Sequence, residues 1–205
     1  MQGIAEILTF WFSEESRRHW FPPEIRERFA DLSARAASGE LSAWEQTPDG
    51  CLALCVLLDQ TPRNMARGTP RAFATDHKAR DVADRAVDRG FDRGLPPERR
   101  QFLYLPFSHS ERLADQERAL ALFEAAGLDD ALAYVRGHRA IIRRFGRFPH
   151  RNAILGRSST PEEREFLAQN LESYGQSVER SDRLTGSFRP DHSDQDPAAR
   201  TIAGR

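Results

Sequence analysis

Apolar residues recur along this chain at the spacing of amphipathic helices. The stretch "PEIRERFADLSARAASG" places Ile25, Phe29, Leu32 and Ala36 on one helical face and ends at Gly39, a residue typical of helix ends. The stretches "TDHKARDVADRAVDRG" and "DDALAYVRGHRAIIRRFG" repeat this arrangement. Because no apolar run of convincing length alternates with period two, the pattern predicts an all-α fold with no significant sheet.

One stretch, "DGCLALCVLLDQ", is apolar almost all round, which predicts the central buried helix. Its cysteines, Cys51 and Cys55, are expected to be buried free thiols that behave as small hydrophobic residues. The connections between the helical patterns are short, so neighbouring helices should pack as antiparallel hairpins. We expect one all-helical domain over residues 1–174, followed by a polar tail, 175–205, that is disordered or loosely packed.

Helix starts are marked by four Thr-Pro pairs, in which Thr can cap the helix and Pro suits its first turn. The threonines are Thr47, Thr61, Thr69 and Thr160. The spacing of Thr160 and Glu163 predicts a capping box, and so does that of Ser108 and Glu111. The helix before the second box is predicted to end at Pro106.

Composition narrows the classes of function. Hydrophobic residues are 39% of the chain and the formal net charge is -1, so no global basic field attracts nucleic acid or an anionic membrane. The patch "RRFGRF" interleaves arginine with phenylalanine, but one such patch makes nucleic acid an unlikely partner. The amino terminus lacks the pattern of a signal peptide, and no apolar run approaches the roughly 20 residues of a membrane span. A cytoplasmic location with no membrane partner is therefore expected.

The first segment with candidate chemistry is "LDQTPRNMARGTPRAF". If Thr61 caps a new helix, free backbone N–H groups lie beside arginine side chains, which favours an anion. The alternative is that these arginines pair with Asp59 or Asp76. The candidate ligand-binding residues are Arg63, Asn64 and Arg67.

The second segment is "LPFSHSERLADQE". His109 lies where a helix is expected to begin, and the positive end of a helix disfavours the charged imidazolium. A neutral His109 could act as a base in a cleft, or it could be a hydrogen-bonded histidine of the core. Glu111 and Asp115 lie close to it in the sequence and share one helical face.

The third segment is "RRFGRFPHRN", preceded by His138 on the apolar face of the last long helical pattern. Phe145, Gly146, Phe148 and Pro149 predict a rigid corner that ends this helix. The remaining side chains could line a site on that support, or bond the carbonyl groups of helix ends. They are Arg144, Arg147, His150, Arg151 and Asn152.

These segments also carry a resemblance to a known family. The blocks "LDQTPRN", "RGTPRAFATD", "FLYLPFSHSE", "RFGRFPHRN" and "STPEE" resemble those of the bacterial family called domain of unknown function 924. The likeness spans about residues 4 to 172. It implies a helical fold similar to tetratricopeptide-repeat proteins, hence a right-handed superhelix of hairpins, and it brings no settled activity.

Two hypotheses of function follow. Stacked hairpins form a concave groove, and a groove lined by the arginines and histidines above would bind a small anionic molecule or a peptide. The alternative is a hydrolase-type enzyme, in which His109 or His138 is the general base and Glu111 or Asp115 orients it. The spacing of His109, Glu111, His138 and His150 matches no known metal site, so no metal is expected. No Gly-rich phosphate loop or dinucleotide motif occurs, so no cofactor is expected either.

Overall fold

Helices make up the regular structure of the computed structural model, which describes residues 2–14, 16 and 24–169. No strand occurs in these residues, so the prediction of an all-α fold is confirmed. The likeness to a tetratricopeptide-repeat superhelix stays a prediction. The predicted polar tail, 175–205, lies outside the described residues.

Nine α-helices are labelled here in chain order within the described residues. They are α1 Gln2–Trp11, α2 Glu24–Ser38, α3 Pro48–Cys55, α4 Thr61–Met65, α5 Asp76–Asp88, α6 Pro97–Ser108, α7 Leu113–Ala125, α8 Asp129–Phe145 and α9 Pro161–Gln169. Short 3₁₀ helices span Ser42–Gln46, Pro70–Phe73 and Pro149–Arg151. Consecutive helices α5, α6, α7 and α8 pack on one another, as expected of hairpins with short connections. None of the helices in the described part of the chain is long and apolar enough to cross a bilayer.

The predicted central helix is α3, in which every residue from Gly50 to Cys55 is buried. Thr47 caps it by accepting a hydrogen bond from the Gly50 backbone N–H at 3.1 Å, which confirms this helix start. Both cysteines are buried and unbridged, as predicted. Burial raises the pKa of Cys51 to about 11, so its thiol stays protonated at neutral pH.

The chain does not restart at Thr61. A π-helical segment, Val56–Gln60, joins α3 directly to α4. Thr61 is fully buried and donates its hydroxyl proton to the Val56 carbonyl at 3.0 Å, so it caps nothing. The prediction of a free helix N-terminus and an anion site there is wrong, because the continuous helix already uses the backbone N–H groups.

The predicted boundaries around His109 are also wrong. Helix α6 continues past Pro106 to Ser108, since a proline so near the helix end removes only one late hydrogen bond. Ser108 donates to the Leu105 carbonyl within this helix, and α7 begins only at Leu113. The predicted capping box of Ser108 and Glu111 therefore does not form.

Two apolar clusters lie along α8. The main core includes Val135 on α8, and a smaller cluster consists of Ile141, Ile142 and Phe148. Gly146 ends α8 with φ of 69°, a conformation that a side chain would strain, so the predicted corner is confirmed. His138 lies on α8 between the two clusters and is 3% exposed, which puts a polar network at their junction.

Candidate functional site

The network at the junction is centred on Asp59, which lies on the π-helical segment and is 1% exposed. Its Oδ1 lies 2.8 Å from Nδ1 of His109 and 2.9 Å from Nη1 of Arg63. Burial alone would raise the pKa of Asp59, but the opposite charge of Arg63 and the contact with His109 lower it to about 2. Asp59 is therefore a carboxylate at neutral pH.

An ionised Asp59 determines which nitrogen of His109 carries the proton. The carboxylate can only accept, so Nδ1 carries the hydrogen and donates it. Nε2 then accepts from the hydroxyl of Tyr134, 3.1 Å away. Burial lowers the pKa of His109 in spite of the carboxylate, so the ring is neutral. Asp59, His109 and Tyr134 thus form a directed chain of hydrogen bonds from a buried carboxylate to a half-buried phenol.

Arg63, Arg151 and the carboxylate of Asp76 connect Asp59 back to His109 by a second route. Arg63 binds Asp76 with both terminal nitrogens, at 2.7 and 2.8 Å. Arg151 contacts the same carboxylate at 3.3 Å and donates to the His109 carbonyl at 3.0 Å. These contacts join residues of the π-helical segment, α4, α5, the end of α6 and the 3₁₀ helix Pro149–Arg151.

Arg151 packs against two aromatic rings. Its guanidinium carbon lies 4.5 Å from the ring centre of Phe73 and 4.5 Å from that of Phe148. Burial and the neighbouring charge of Arg63 lower the pKa of Arg151 to about 10, so it is still charged at neutral pH. Its Nε is buried and has no hydrogen-bond partner within the described residues.

Two further histidines complete the site. The ring centre of His138 lies 4.1 Å from that of Tyr134 and 4.9 Å from that of Phe148. His138 Nδ1 lies 3.0 Å from the Ser108 carbonyl. His150 stacks near Phe148 at 5.3 Å. Burial lowers the pKa of both histidines, that of His150 to about 3, so both rings are neutral.

The carboxylates predicted to orient His109 have other partners. Glu111 accepts from the Phe148 backbone N–H at 2.8 Å and binds Arg157 at 2.7 and 2.9 Å. Asp115 accepts from the hydroxyl of Ser110 at 2.7 Å. The prediction that Glu111 or Asp115 orients His109 is wrong, because Asp59 occupies that place from a distant part of the chain.

Of the predicted site residues, Arg63, His109, His138, His150 and Arg151 meet at the junction. Arg147 instead binds the buried Glu163 at 2.7 and 2.8 Å. Arg144 pairs with Glu162 at the surface, and Asn152 donates to Ser159. Asn64 is half-buried and Arg67 exposed. The alternative that the arginines pair with Asp59 or Asp76 and with helix-end carbonyls is the arrangement found at Arg63 and Arg151.

Sequence reasoning missed Tyr134 and named Asp59 only as a partner of the arginines. The signal for Tyr134 was weak. Its spacing of four from His138 places both on one face of α8, which is a weak signal shared by many core positions. Its contact with His109 spans 25 residues and depends on the packing of α6 against α8. Within the described residues, no group of three or more His, Cys, Asp or Glu side chains is arranged to hold a metal ion.

Comparison with known proteins agrees with the helical fold. A family model described as a bacterial protein of unknown function, DUF924, matches residues 7–170. A solved structure of a protein of unknown function from Agrobacterium tumefaciens is 44% identical, with a TM-score of 0.75. That match covers 81% of this chain and 97% of the other. No curated protein gives a significant match.

Proposed function

The chain belongs to the DUF924 family of bacterial proteins of unknown function, and from this premise and the geometry of the junction we propose that it is an enzyme of the hydrolase type. The observation that carries the proposal is the chain of hydrogen bonds from Asp59 through His109 to Tyr134. It has the order that general-base catalysis needs: a carboxylate that orients an imidazole, and an imidazole aimed at a hydroxyl. Tyr134 is the member that meets the substrate.

In the proposed reaction, water attacks the carbonyl or phosphoryl centre of an ester. The water passes a proton to the Tyr134 oxygen while Tyr134 passes its own proton to Nε2 of His109. Asp59 stabilises the imidazolium that forms, as the buried carboxylate of a catalytic triad does. The proton then returns by the same route to the oxygen of the leaving alcohol, so one ester and one water give one acid and one alcohol.

The charges around Tyr134 favour this role. A phenolate at Tyr134 would interact electrostatically with the guanidinium groups of Arg63 and Arg151. Negative charge that develops on the oxygen as the proton leaves would therefore be stabilised by fixed positive charges in a poorly hydrated place.

The test compares two tyrosines. Tyr134→Phe removes only the hydroxyl that completes the chain, and we expect kcat/KM on the best ester of a panel of p-nitrophenyl acetates and phosphates to fall by about 10²–10⁴-fold. Tyr104→Phe is the matched control, because Tyr104 also donates its hydroxyl to a side chain, in its case the carboxylate of Asp92 at 2.6 Å. Equal turnover by the two variants, or no turnover by the parent protein on any ester, would reject the proposal.

A further inference from the structure

Arg151 is the least satisfied arginine of the junction. Arg63 binds Asp76 through two hydrogen bonds of 2.7 and 2.8 Å, whereas Arg151 makes one contact of 3.3 Å with the same carboxylate. Arg157, by contrast, binds both oxygens of Glu111, through hydrogen bonds of 2.7 and 2.9 Å. Asp76 thus binds two guanidinium groups, and its contact with Arg63 is the closer one. The ion pair of Arg151 with Asp76 is therefore longer and made through one nitrogen, whereas Arg63 uses two.

The unmet donor of Arg151 points to a ligand atom. Its Nε has no partner within the described residues, although the side chain is only 7% exposed. Leaving a buried donor unpaired costs about 1–3 kcal/mol, and more when the group is charged. Nε is also buried and unpartnered in Arg100 and Arg157, but both of those side chains are only half-buried as a whole, and Arg157 has a full carboxylate pair. The difference singles out Arg151.

The surroundings of Arg151 define what could satisfy it. The ring centres of Phe73 and Phe148 lie 4.5 Å from its guanidinium carbon, and a guanidinium donates hydrogen bonds from the edge of its plane. A guanidinium edge matches the oxygens of a carboxylate or a phosphate. Phe73, Tyr134 and His150 are half-buried, so the network reaches the surface at these rings.

We propose that Arg151 binds an oxyanion, the carboxylate or phosphate group of the substrate, and holds it beside Tyr134. The place of this anion in catalysis rests on the proposed function, but its binding does not. The proposed enzyme would then act on small anionic esters in preference to neutral ones, since Arg151 recognises the charged group while Tyr134 and His109 move the proton.

The binding test uses inorganic phosphate and succinate as probes, with sodium chloride at matched ionic strength as the reference. An anion that binds only the folded protein raises the midpoint of thermal unfolding, here by on the order of 2–4 °C at several times its Kd. Arg151→Lys keeps the charge but loses the planar fork and should abolish the shift. Arg144→Lys, at a surface arginine paired with Glu162, should keep it. A larger shift with phosphate than with succinate identifies a phosphate site, and the reverse identifies a carboxylate site.

The parent protein alone decides the outcome if Arg151→Lys does not fold. Equal midpoints of thermal unfolding in phosphate, succinate and chloride would overturn the inference. Water would then be the partner of Arg151 Nε. A shift that persists in Tyr134→Phe while turnover is lost supports both proposals. A shift without any turnover supports the anion site and rejects the hydrolase. Turnover of neutral esters without a shift rejects the anion site and leaves the hydrolase.

Discussion

At the scale of the residue, the junction is a balanced set of buried charges. Asp59 and Asp76 face Arg63 and Arg151, so two carboxylates lie against two guanidinium groups. Sequence reasoning gave the pairing of Arg63 with Asp59 or Asp76 as the alternative to an anion site, and both pairs form. The contact of Asp59 with His109 spans 50 residues and that of Asp76 with Arg151 spans 75, and no local rule predicts contacts set by tertiary packing.

Removing one partner from this set should be far more costly than breaking a surface pair. Arg63→Met leaves Asp59 and Asp76 buried with too little positive charge, and we expect the free energy of unfolding to fall by about 3–5 kcal/mol. Arg144→Met breaks the exposed pair with Glu162 and should cost less than about 1 kcal/mol. Urea unfolding measures both.

A similar loss in the two arginine variants would show that the buried network contributes no more than a surface ion pair. The comparison is informative because both changes remove one guanidinium and put the same side chain in its place.

At the scale of the element, two capping boxes are predicted from their spacing, and only one of them forms a cap. Thr160 and Glu163 form the predicted capping box, with bonds of 2.7 Å from the Thr160 N–H and 3.1 Å to the Thr160 hydroxyl. Ser108 and Glu111 have equivalent spacing and form none, because α6 already includes Ser108 and Arg157 takes Glu111. Local spacing therefore predicts a cap only where the preceding helix has ended and no distant partner competes.

The cap of α9 can be tested with a second Thr-Pro pair as the control. Thr160→Ala loses the cap and should lower the free energy of opening of α9, measured by amide hydrogen exchange, by about 1 kcal/mol. Thr69→Ala changes a threonine whose hydroxyl bonds the Ala66 carbonyl and caps no N–H, so it should stay within about 0.5 kcal/mol. Unchanged exchange of α9 in Thr160→Ala would contradict the role of the box.

At the scale of the whole molecule, the two apolar clusters are joined through a polar layer that holds three neutral histidines. The helices and the central position of α3 were predictable, because helical periodicity and an all-apolar run are properties of neighbouring residues. The position of the layer was not, since it depends on how α6, α8 and the corner at Phe148 meet. Sequence reasoning picked His109, His138 and His150 without showing that they converge.

These histidines predict a fold that is sensitive to mild acid. Burial lowers the pKa of His109, His138 and His150 in the folded state, whereas an unfolded histidine titrates near 6.5. Below about pH 6.5 the unfolded chain therefore binds more protons than the folded one, and stability falls as pH falls. Three such groups give a limiting slope of about 4 kcal/mol per pH unit.

Urea unfolding at pH 7.5, 6.5 and 5.5 measures this slope. His150→Gln should reduce it, whereas His77→Gln, at an exposed histidine of α5, should leave it unchanged. Stability that does not vary between pH 7.5 and 5.5 would show that the buried rings are not held neutral.

The π-helical segment Val56–Gln60 has a consequence for how this chain can vary. Each residue of a helix turns the chain by about 100°. A one-residue deletion ahead of Asp59 would rotate Asp59 and Arg63 together by that angle relative to the buried residues of α3, and so away from His109. The number of residues between the buried end of α3 and Arg63 is thus as much a part of the site as their identity. This stretch can accept substitutions more readily than a change in length.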